Sequence, residues 1–147
     1  MLETNIDDMN PEIYGYVMER ALDKGALDVF MTPIMMKKNR PGVKLSILCE
    51  EKNQSEFEHL IFSETTTLGI RKYAVDRSVL SRKIIKLKTA YGDVDIKIGL
   101  IDDCHMKYSP EYEECRKIAE SLKIPIKKVY EDINFEAKKY FEENNCL

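Results

Sequence analysis

Apolar residues in the first half of the chain recur with two alternating periods, one typical of strands and one typical of helices. Helical spacing follows Asn10-Pro11, and it follows Asn53 again, where Glu56 three residues later suggests a capping box. Strand-like segments surround these helices at Leu2 to Asp8, Leu27 to Met36, Val43 to Cys49 and Leu68 to Val75. The order strand, helix, strand, strand, helix, strand predicts a ferredoxin-like βαββαβ unit. The first helix is expected to bury Ile13, Tyr16, Val17, Ala21 and Leu22.

The pattern changes after residue 76. Apolar and polar residues alternate before and after Tyr91-Gly92-Asp93, which predicts a β-hairpin. Ser109-Pro110 is expected to cap one helix and Pro125 to begin another. The predicted class is therefore α+β, with a ferredoxin-like α/β sandwich over 1–76 and a β-hairpin plus helical C-terminal subdomain over 77–147.

Composition narrows the kind of protein. Hydrophobic residues make up 44% and charged residues 33% of the 147, a balance that excludes disorder as the main description. The net charge of -3 argues against a nucleic-acid partner. No apolar run approaches the roughly 20 residues that cross a bilayer. The acidic N-terminus is unlike a secretory signal, and the four cysteines form no CxxC pair, so we expect a cytoplasmic protein with free thiols.

An acidic pair, Asp7 and Asp8, lies between the first strand and the first helix, with Glu3 nearby. Hard divalent cations prefer carboxylate oxygens, and magnesium commonly takes one or two of them together with phosphates. Acidic residues before a helix also serve as solvated turn residues that favour the helix N-terminus. From spacing alone, both interpretations stay open.

A basic cluster at the predicted hairpin tip consists of Lys37, Lys38 and Arg40. Three cations beside an exposed turn can bind phosphates, with arginine as a fork and the lysines as point charges. The same charges can also keep a strand edge soluble.

A third candidate is the stretch Thr65-Thr66-Thr67-Leu68-Gly69-Ile70-Arg71. Hydroxyls, free backbone N–H groups and a glycine that allows close approach can all serve a nucleotide. The stretch also fits a plain connection from helix to strand. Neither GxGxxG nor GxxxxGK[ST] occurs in the chain, so two common phosphate-binding motifs are excluded. Cys104 and His105 form a weaker metal candidate, since no second histidine lies near them.

Three long strings of the sequence carry a family resemblance. ETNIDDMNPE (3–12), FMTPIMMKKNRPG (30–42) and ETTTLG (64–69) followed by Arg71 resemble the C-terminal region of the LarC family. The YGDVDIK hairpin and the PEYEECRKIAE helix are similar to later segments of that family. The resemblance covers nearly the whole chain. The stretch Gly99 to Tyr108 is longer and more irregular than the family pattern, which leaves Cys104 and His105 without a role.

The resemblance implies a CTP-dependent nickel insertase, a cyclometallase of the lyase class. Its substrate would be pyridinium-3,5-bisthiocarboxylic acid mononucleotide, and its product the nickel-pincer cofactor of lactate racemase. CTP would be hydrolysed, Mg²⁺ or Mn²⁺ would accompany it, and Ni²⁺ would be the inserted metal. The His-rich N-terminal region of the family is absent from this sequence, so that region is implied as a partner. Activity of the chain on its own stays open.

With a nucleotide implied, the candidates acquire roles. Asp7 and Asp8 become the metal-binding pair, and the nucleotide-binding set becomes Lys37, Lys38, Arg40, Thr65, Thr66, Thr67 and Arg71. An alternative function is a non-catalytic, nucleotide-sensing ferredoxin-like oligomer, which would bind nucleotide with little hydrolysis. A third is an inert scaffold without nucleotide affinity. For the nickel insertase and for the nucleotide-sensing protein alike, we expect a homo-oligomer.

Overall fold

The computed structural model describes residues 1–101 and 106–144, with Met106 described by its backbone alone. The chain divides into two compact units, Met1–Asp76 and Arg77–Leu147. Each unit has its own hydrophobic core. Cys104 and His105 lie outside the described residues.

The first unit is a four-stranded sheet with two helices. Its elements are β1 (Leu2–Ile6), α1 (Pro11–Asp23), β2 (Asp28–Met36), β3 (Arg40–Leu48), α2 (Gln54–Glu64) and β4 (Arg71–Lys72). The strands lie in the order β2-β3-β1-β4, and each neighbouring pair is antiparallel. This topology confirms the predicted ferredoxin-like unit.

The core of this unit lies between the sheet and the helices. Its fully buried side chains include Leu45 and Ile47 of β3, Val17 of α1 and Phe57 of α2. The predicted face of α1 is partly wrong. Tyr14, Val17 and Ala21 are buried, whereas Ile13, Tyr16 and Leu22 are exposed. One narrow stripe of α1 contacts the sheet, so three apolar residues on either side of it remain in solvent.

Two local predictions in this unit are also wrong. Asn53 makes no capping hydrogen bond, because a 3-10 turn over Glu51–Asn53 leads directly into α2. β4 has two residues rather than the eight predicted, since only Leu2 and Glu3 of β1 pair with it.

The second unit is a three-stranded antiparallel sheet with two helices. Its elements are β5 (Ser81–Thr89), β6 (Gly92–Leu100), β7 (Met106–Pro110), α3 (Tyr112–Leu122) and α4 (Ile126–Glu143). The hairpin β5-β6 is confirmed, and β7 adds a third strand beside β6 that the sequence pattern did not predict. Ser109 and Pro110 therefore belong to a strand and do not cap a helix.

The two helices of the second unit are amphipathic. Cys115 and Ala119 of α3 and four residues of α4 are buried against the sheet. Pro125 is the N-cap of α4, as predicted. Across residues 1–101 and 106–144, no helix combines the length and apolar character needed to cross a membrane.

Candidate functional site

A cavity of about 420 Å³ opens in the first unit where β1 ends. Two connections meet there, the one from β1 to α1 and the one from α2 to β4. The lining residues are Asn5, Ile6, Asp7, Asp8, Met36, Thr66, Thr67, Leu68, Gly69 and Arg71.

The acidic turn is positioned by buried residues on both of its sides. Ile6 and Met9 are buried, so the backbone between them is fixed and the two carboxylates remain at the surface. Asn10 then begins α1, and its Oδ1 accepts a hydrogen bond from the backbone N–H of Glu12 at 3.1 Å. The Asn-Pro signal in the sequence thus places Asp7 and Asp8 at the mouth of the cavity.

Each carboxylate has a partner from a distant part of the chain. Arg40 Nη1 lies 3.3 Å from Asp7 Oδ2. The Thr66 hydroxyl donates a hydrogen bond to Asp8 Oδ1. The Tyr14 ring is buried beside the pair, and its pKa is raised first by burial and then by the charges of Asp8 and Asp7. The phenol therefore stays neutral next to two anions.

Hydroxyl groups tie the threonine stretch to β1. Thr65 Oγ1 donates to the Ile61 carbonyl at 2.7 Å and closes the end of α2. The hydroxyls of Thr67 and Thr4 are hydrogen-bonded, and Thr4 Oγ1 donates to the Gly69 carbonyl at 2.9 Å. Because Thr4 is a buried residue of β1, these bonds hold the connection against the sheet.

Glu3 is a largely buried carboxylate next to the cavity. Its Oε1 lies 3.0 Å from Lys44 Nζ and accepts a hydrogen bond from Ser46 Oγ at 3.1 Å. Burial by itself raises the pKa of Glu3, but hydrogen bonds from Lys44, Tyr73 and Ser46 outweigh it, and the pKa is lowered from 4.5. Glu3 is consequently charged in the folded protein at neutral pH.

The lowered pKa predicts an acid-sensitive contribution to stability. The charged form of Glu3 stabilises the fold above its ordinary pKa, and that contribution disappears as the pH falls through the lower folded value. Glu3→Gln should therefore be less stable than wild type at pH 7, with a difference that shrinks below about pH 5. Urea unfolding at a series of pH values measures this. Parallel stability curves for the two proteins would contradict the assignment.

Arg71 reaches the cavity from β4. Its guanidinium donates to Asn5 Oδ1 and lies 3.9 Å from Glu3 Oε2. The side chain is half exposed, so its remaining N–H donors face solvent at the cavity. Arg71 is thus oriented by two β1 side chains and can still bind an anion.

Gly42 of β3 is required for the close packing beneath the site. A Cβ atom at this position would lie 2.8 Å from the carbonyl oxygen of Ile6 and 2.7 Å from Met36 Sδ. Both distances are shorter than side chains tolerate, and Ile6 directly precedes Asp7. Glycine therefore allows the hairpin β2-β3 to approach the acidic turn.

The structure brings together most, though not all, of the residues predicted from sequence. Those lining the cavity are Asp7, Asp8, Thr66, Thr67 and Arg71. Arg40 does not line the cavity but forms an ion pair with Asp7, which does. Thr65 does not line the cavity either, and its hydrogen bond to the Ile61 carbonyl closes the end of α2. Lys37 and Lys38 lie in a 3-10 turn outside the lining.

Two site residues, Thr4 and Asn5, were not predicted. They are polar residues between the apolar Leu2 and Ile6 of β1, and that position was the signal available in the sequence. Their partners, Thr67 and Arg71, are more than 60 residues away, and only the pairing of β1 with β4 brings them close.

The donor set indicates the kind of metal this site suits. Among the described residues there is no group of three or more His, Cys, Asp or Glu side chains that could enclose a metal ion. Two adjacent carboxylates fit Mg²⁺ or Mn²⁺ that keeps waters and binds phosphate oxygens, since such ions need few protein ligands.

Comparison with known proteins agrees with this fold. The family model described as "Nickel insertion protein" matches residues 1–130. The pyridinium-3,5-bisthiocarboxylic acid mononucleotide nickel insertion protein of Acetivibrio thermocellus is 53% identical over 145 residues, which are 99% of this chain and 35% of that protein. The protein of the same name from Clostridium acetobutylicum is 53% identical over 133 residues, 90% of this chain and 32% of its own length. The chain thus spans about a third of the length of these curated relatives.

Solved structures resemble most of the chain. One is described as "LarC2, the C-terminal domain of a cyclometallase involved in the synthesis of the NPN cofactor of lactate racemase", with a TM-score of 0.88 and 39% identity over 93% of this chain and 94% of that one. A second, protein MK0293 from Methanopyrus kandleri, has a TM-score of 0.64 at 24% identity, covers 88% of this chain and 80% of its own, and shows the fold alone. The resemblance to the C-terminal region of LarC is confirmed, and this chain belongs to the nickel insertion protein family.

Proposed function

We propose that this chain is the CTP-binding portion of a CTP-dependent nickel insertase. In this proposal the whole protein, a cyclometallase, inserts nickel into pyridinium-3,5-bisthiocarboxylic acid mononucleotide and so makes the nickel-pincer cofactor of lactate racemase. Family membership supports the nickel insertion. The observation that supports a nucleotide site is the convergence of Asp7, Asp8, Thr66 and Arg71 on one cavity.

The acidic pair would bind the divalent cation that accompanies CTP. Asp8 and Asp7 lie side by side, and each has one carboxylate oxygen engaged by Thr66 or Arg40. The other oxygen of each carboxylate is available to Mg²⁺ or Mn²⁺, which would screen the triphosphate charge when bound.

The charge balance of the site explains why a metal would be needed. Near the cavity, the carboxylates Glu3, Asp7 and Asp8 face the cations Arg40, Lys44 and Arg71. The described charges at this place therefore nearly cancel, and a triphosphate would meet two carboxylates without net attraction. A divalent cation between the carboxylates and the triphosphate would supply the missing attraction, so we expect nucleotide binding to depend on the metal.

The remaining contacts would come from the loop, from β4 and from the hairpin tip. Thr66 and Thr67 donate their O–H groups to Asp8 and to the Gly69 carbonyl, so their oxygens would accept hydrogen bonds from the ribose or the base, and Arg71 offers a guanidinium that is already oriented. Lys37 and Lys38 stay candidates for the terminal phosphates. Lys38 has φ 62°, a left-handed conformation that shapes the exposed tip.

Nickel itself would reach this chain as a substrate. Imidazole and thiolate are the expected nickel ligands. The chain has two histidines and four cysteines, and the described ones do not form a cluster. We therefore assign nickel recruitment to the His-rich N-terminal region of the family.

Assembly and location belong to the same proposal. Phe30, Met31 and Met35 are exposed on β2, which is one of the two edge strands of the first sheet. An exposed apolar strand at a sheet edge favours pairing with another chain, which supports the expected homo-oligomer. We place the protein in the cytoplasm, where nucleotide and reduced thiols are available.

Calorimetric titration with CTP tests the proposal directly. We expect binding in the presence of Mn²⁺, loss of binding when the metal is chelated, and weaker binding of ATP. Equal affinity for CTP and ATP would contradict the selectivity. Absence of CTP binding with the metal present would contradict the nucleotide site.

A further inference from the structure

The second unit contains a cavity of about 510 Å³ that the proposed nucleotide site does not use. The lining residues are Arg77, Ser78, Val79, Leu80, Arg82, Lys97, Gly99, Lys107, Tyr108 and Ser109. In β6, Ile96 and Ile98 are buried with the helices, so Lys97 and Gly99 point to the opposite face of the sheet. The cavity therefore lies on the face that the helices leave open.

The floor of this cavity is one cross-strand row. Arg82 of β5 is opposite Gly99 of β6, and Gly99 is opposite Lys107 of β7. Two cations thus flank a residue without a side chain. A Cβ atom at Gly99 would lie 3.4 Å from Leu80 Cδ1, which shows that the segment before β5 lies against the same place. Leu80, rather than a side chain of β6 itself, therefore covers the backbone between the two positive charges.

The charges around this row are not balanced. Further along the same face, Lys86 pairs with Asp95 at 2.8 Å, and Lys97 pairs with Glu111 at 2.8 Å. Among residues 1–101 and 106–144, no such ion pair involves three other cations of the cavity, namely Arg77, Arg82 and Lys107. Arg82 and Lys107 lie on strands that β6 separates, and each is opposite Gly99, so neither cation has an opposite charge beside it in this row. A cluster of this kind is therefore expected where an anion binds.

The other lining groups limit the anion to a particular class. Arginine forks bind phosphate oxygens in pairs, and the Ser78 hydroxyl can donate a further hydrogen bond. Val79 and Leu80 supply apolar surface beside the cations. A bare inorganic anion would not use that surface, whereas a phosphate joined to a ribose and a ring would.

We propose that this cavity binds the phosphate of a mononucleotide, with Arg82 and Lys107 as its principal ligands. The identification of the mononucleotide as the pyridinium substrate rests on the proposed function. The phosphate site itself rests on the residues of the second unit. The protein would then have separate places for CTP and for the compound that receives nickel.

Binding of nicotinic acid mononucleotide tests this proposal, since that compound is a pyridinium mononucleotide with one ring carboxylate. We expect it to bind the full chain and to compete with inorganic phosphate. The double variant Arg82→Ala/Lys107→Ala should lose roughly 100-fold in affinity, on the order of tenfold for each charged contact. Lys83→Ala is the matched control, because it removes the same charge from the opposite face of β5.

Measuring CTP binding alongside mononucleotide binding separates this proposal from the proposed function. Asp8→Asn should weaken CTP binding and leave nicotinic acid mononucleotide binding unchanged. If CTP fails to bind while the mononucleotide binds and depends on Arg82, the CTP site is wrong and this phosphate site stands. Equal affinity of wild type and the folded double variant for the mononucleotide overturns the phosphate site. Absence of mononucleotide binding to the wild type also overturns it. A double variant that loses CTP binding but keeps mononucleotide binding overturns it as well.

Discussion

Asp8→Asn is expected to abolish metal-dependent CTP binding while the fold stays intact. Asparagine has the same shape and can still accept the hydrogen bond from Thr66, but it lacks the charge that a divalent cation needs. Loss of an outer partner of a metal ligand costs roughly 10–100-fold in affinity, and loss of the ligand should exceed this. Titration with CTP and Mn²⁺ measures the change, and circular dichroism confirms the fold.

The matched control for this experiment is Asp28→Asn. Asp28 is an exposed residue at the start of β2, in the same unit but outside the cavity lining. Asp28→Asn removes the same charge as Asp8→Asn and should leave CTP affinity unchanged. If Asp8→Asn and Asp7→Asn both bind CTP as tightly as this control, the acidic pair does not bind the metal.

Phe57→Ala should destabilise the first unit selectively. Phe57 is fully buried in the core between α2 and the sheet, so its removal leaves a cavity that costs about 3–5 kcal/mol. Typical domains are stable by only about 5–15 kcal/mol. We expect hydrogen exchange to accelerate throughout residues 1–76, with little change in β5, β6 and α4.

A core substitution in the second unit should have the opposite effect on the two units. Ile133 is fully buried in α4, and Ile133→Ala should accelerate exchange over residues 77–147 alone. Phe135→Ala, at a position that is 72% exposed in the same helix, should change stability by less than about 0.5 kcal/mol. The predicted domains over 1–76 and 77–147 would be refuted if either core substitution accelerated exchange equally in both halves.

Local patterns were sufficient for elements that bury one face by themselves. The strand period in β3 and the Asn10-Pro11 start of α1 each reflect a local physical cause, and both elements form as predicted, although Ser46 on the polar side of β3 is buried as well. β7 could not be predicted in this way. Its sequence ends in Ser109-Pro110, which is typical of a turn, and its strand conformation depends on pairing with β6. Tertiary hydrogen bonds outweigh local preference there.

The candidate site, too, was predictable in part from local sequence and in part only from tertiary contacts. Residue type and spacing made Asp7, Asp8 and Arg71 candidates, but charged side chains are also ordinary solvated surface residues, so only the family resemblance gave them roles. The contact between Asp8 and Thr66 spans 58 positions and needs the topology. In a ferredoxin-like unit the end of β1 lies beside the start of β4, so topology combined with spacing was the signal that could have found it.

The hydrogen bonds that tie Thr66 and Thr67 to Asp8 and Thr4 also affect how the cavity meets a ligand. Side chains that already occupy one rotamer lose little conformational entropy on binding, whereas each free one loses about 0.5–1.5 kcal/mol. In this protein the threonine side chains become ordered when the first sheet forms. Affinity at the cavity is consequently sensitive to distant substitutions that loosen β1 or β4, even where no atom of the ligand is touched.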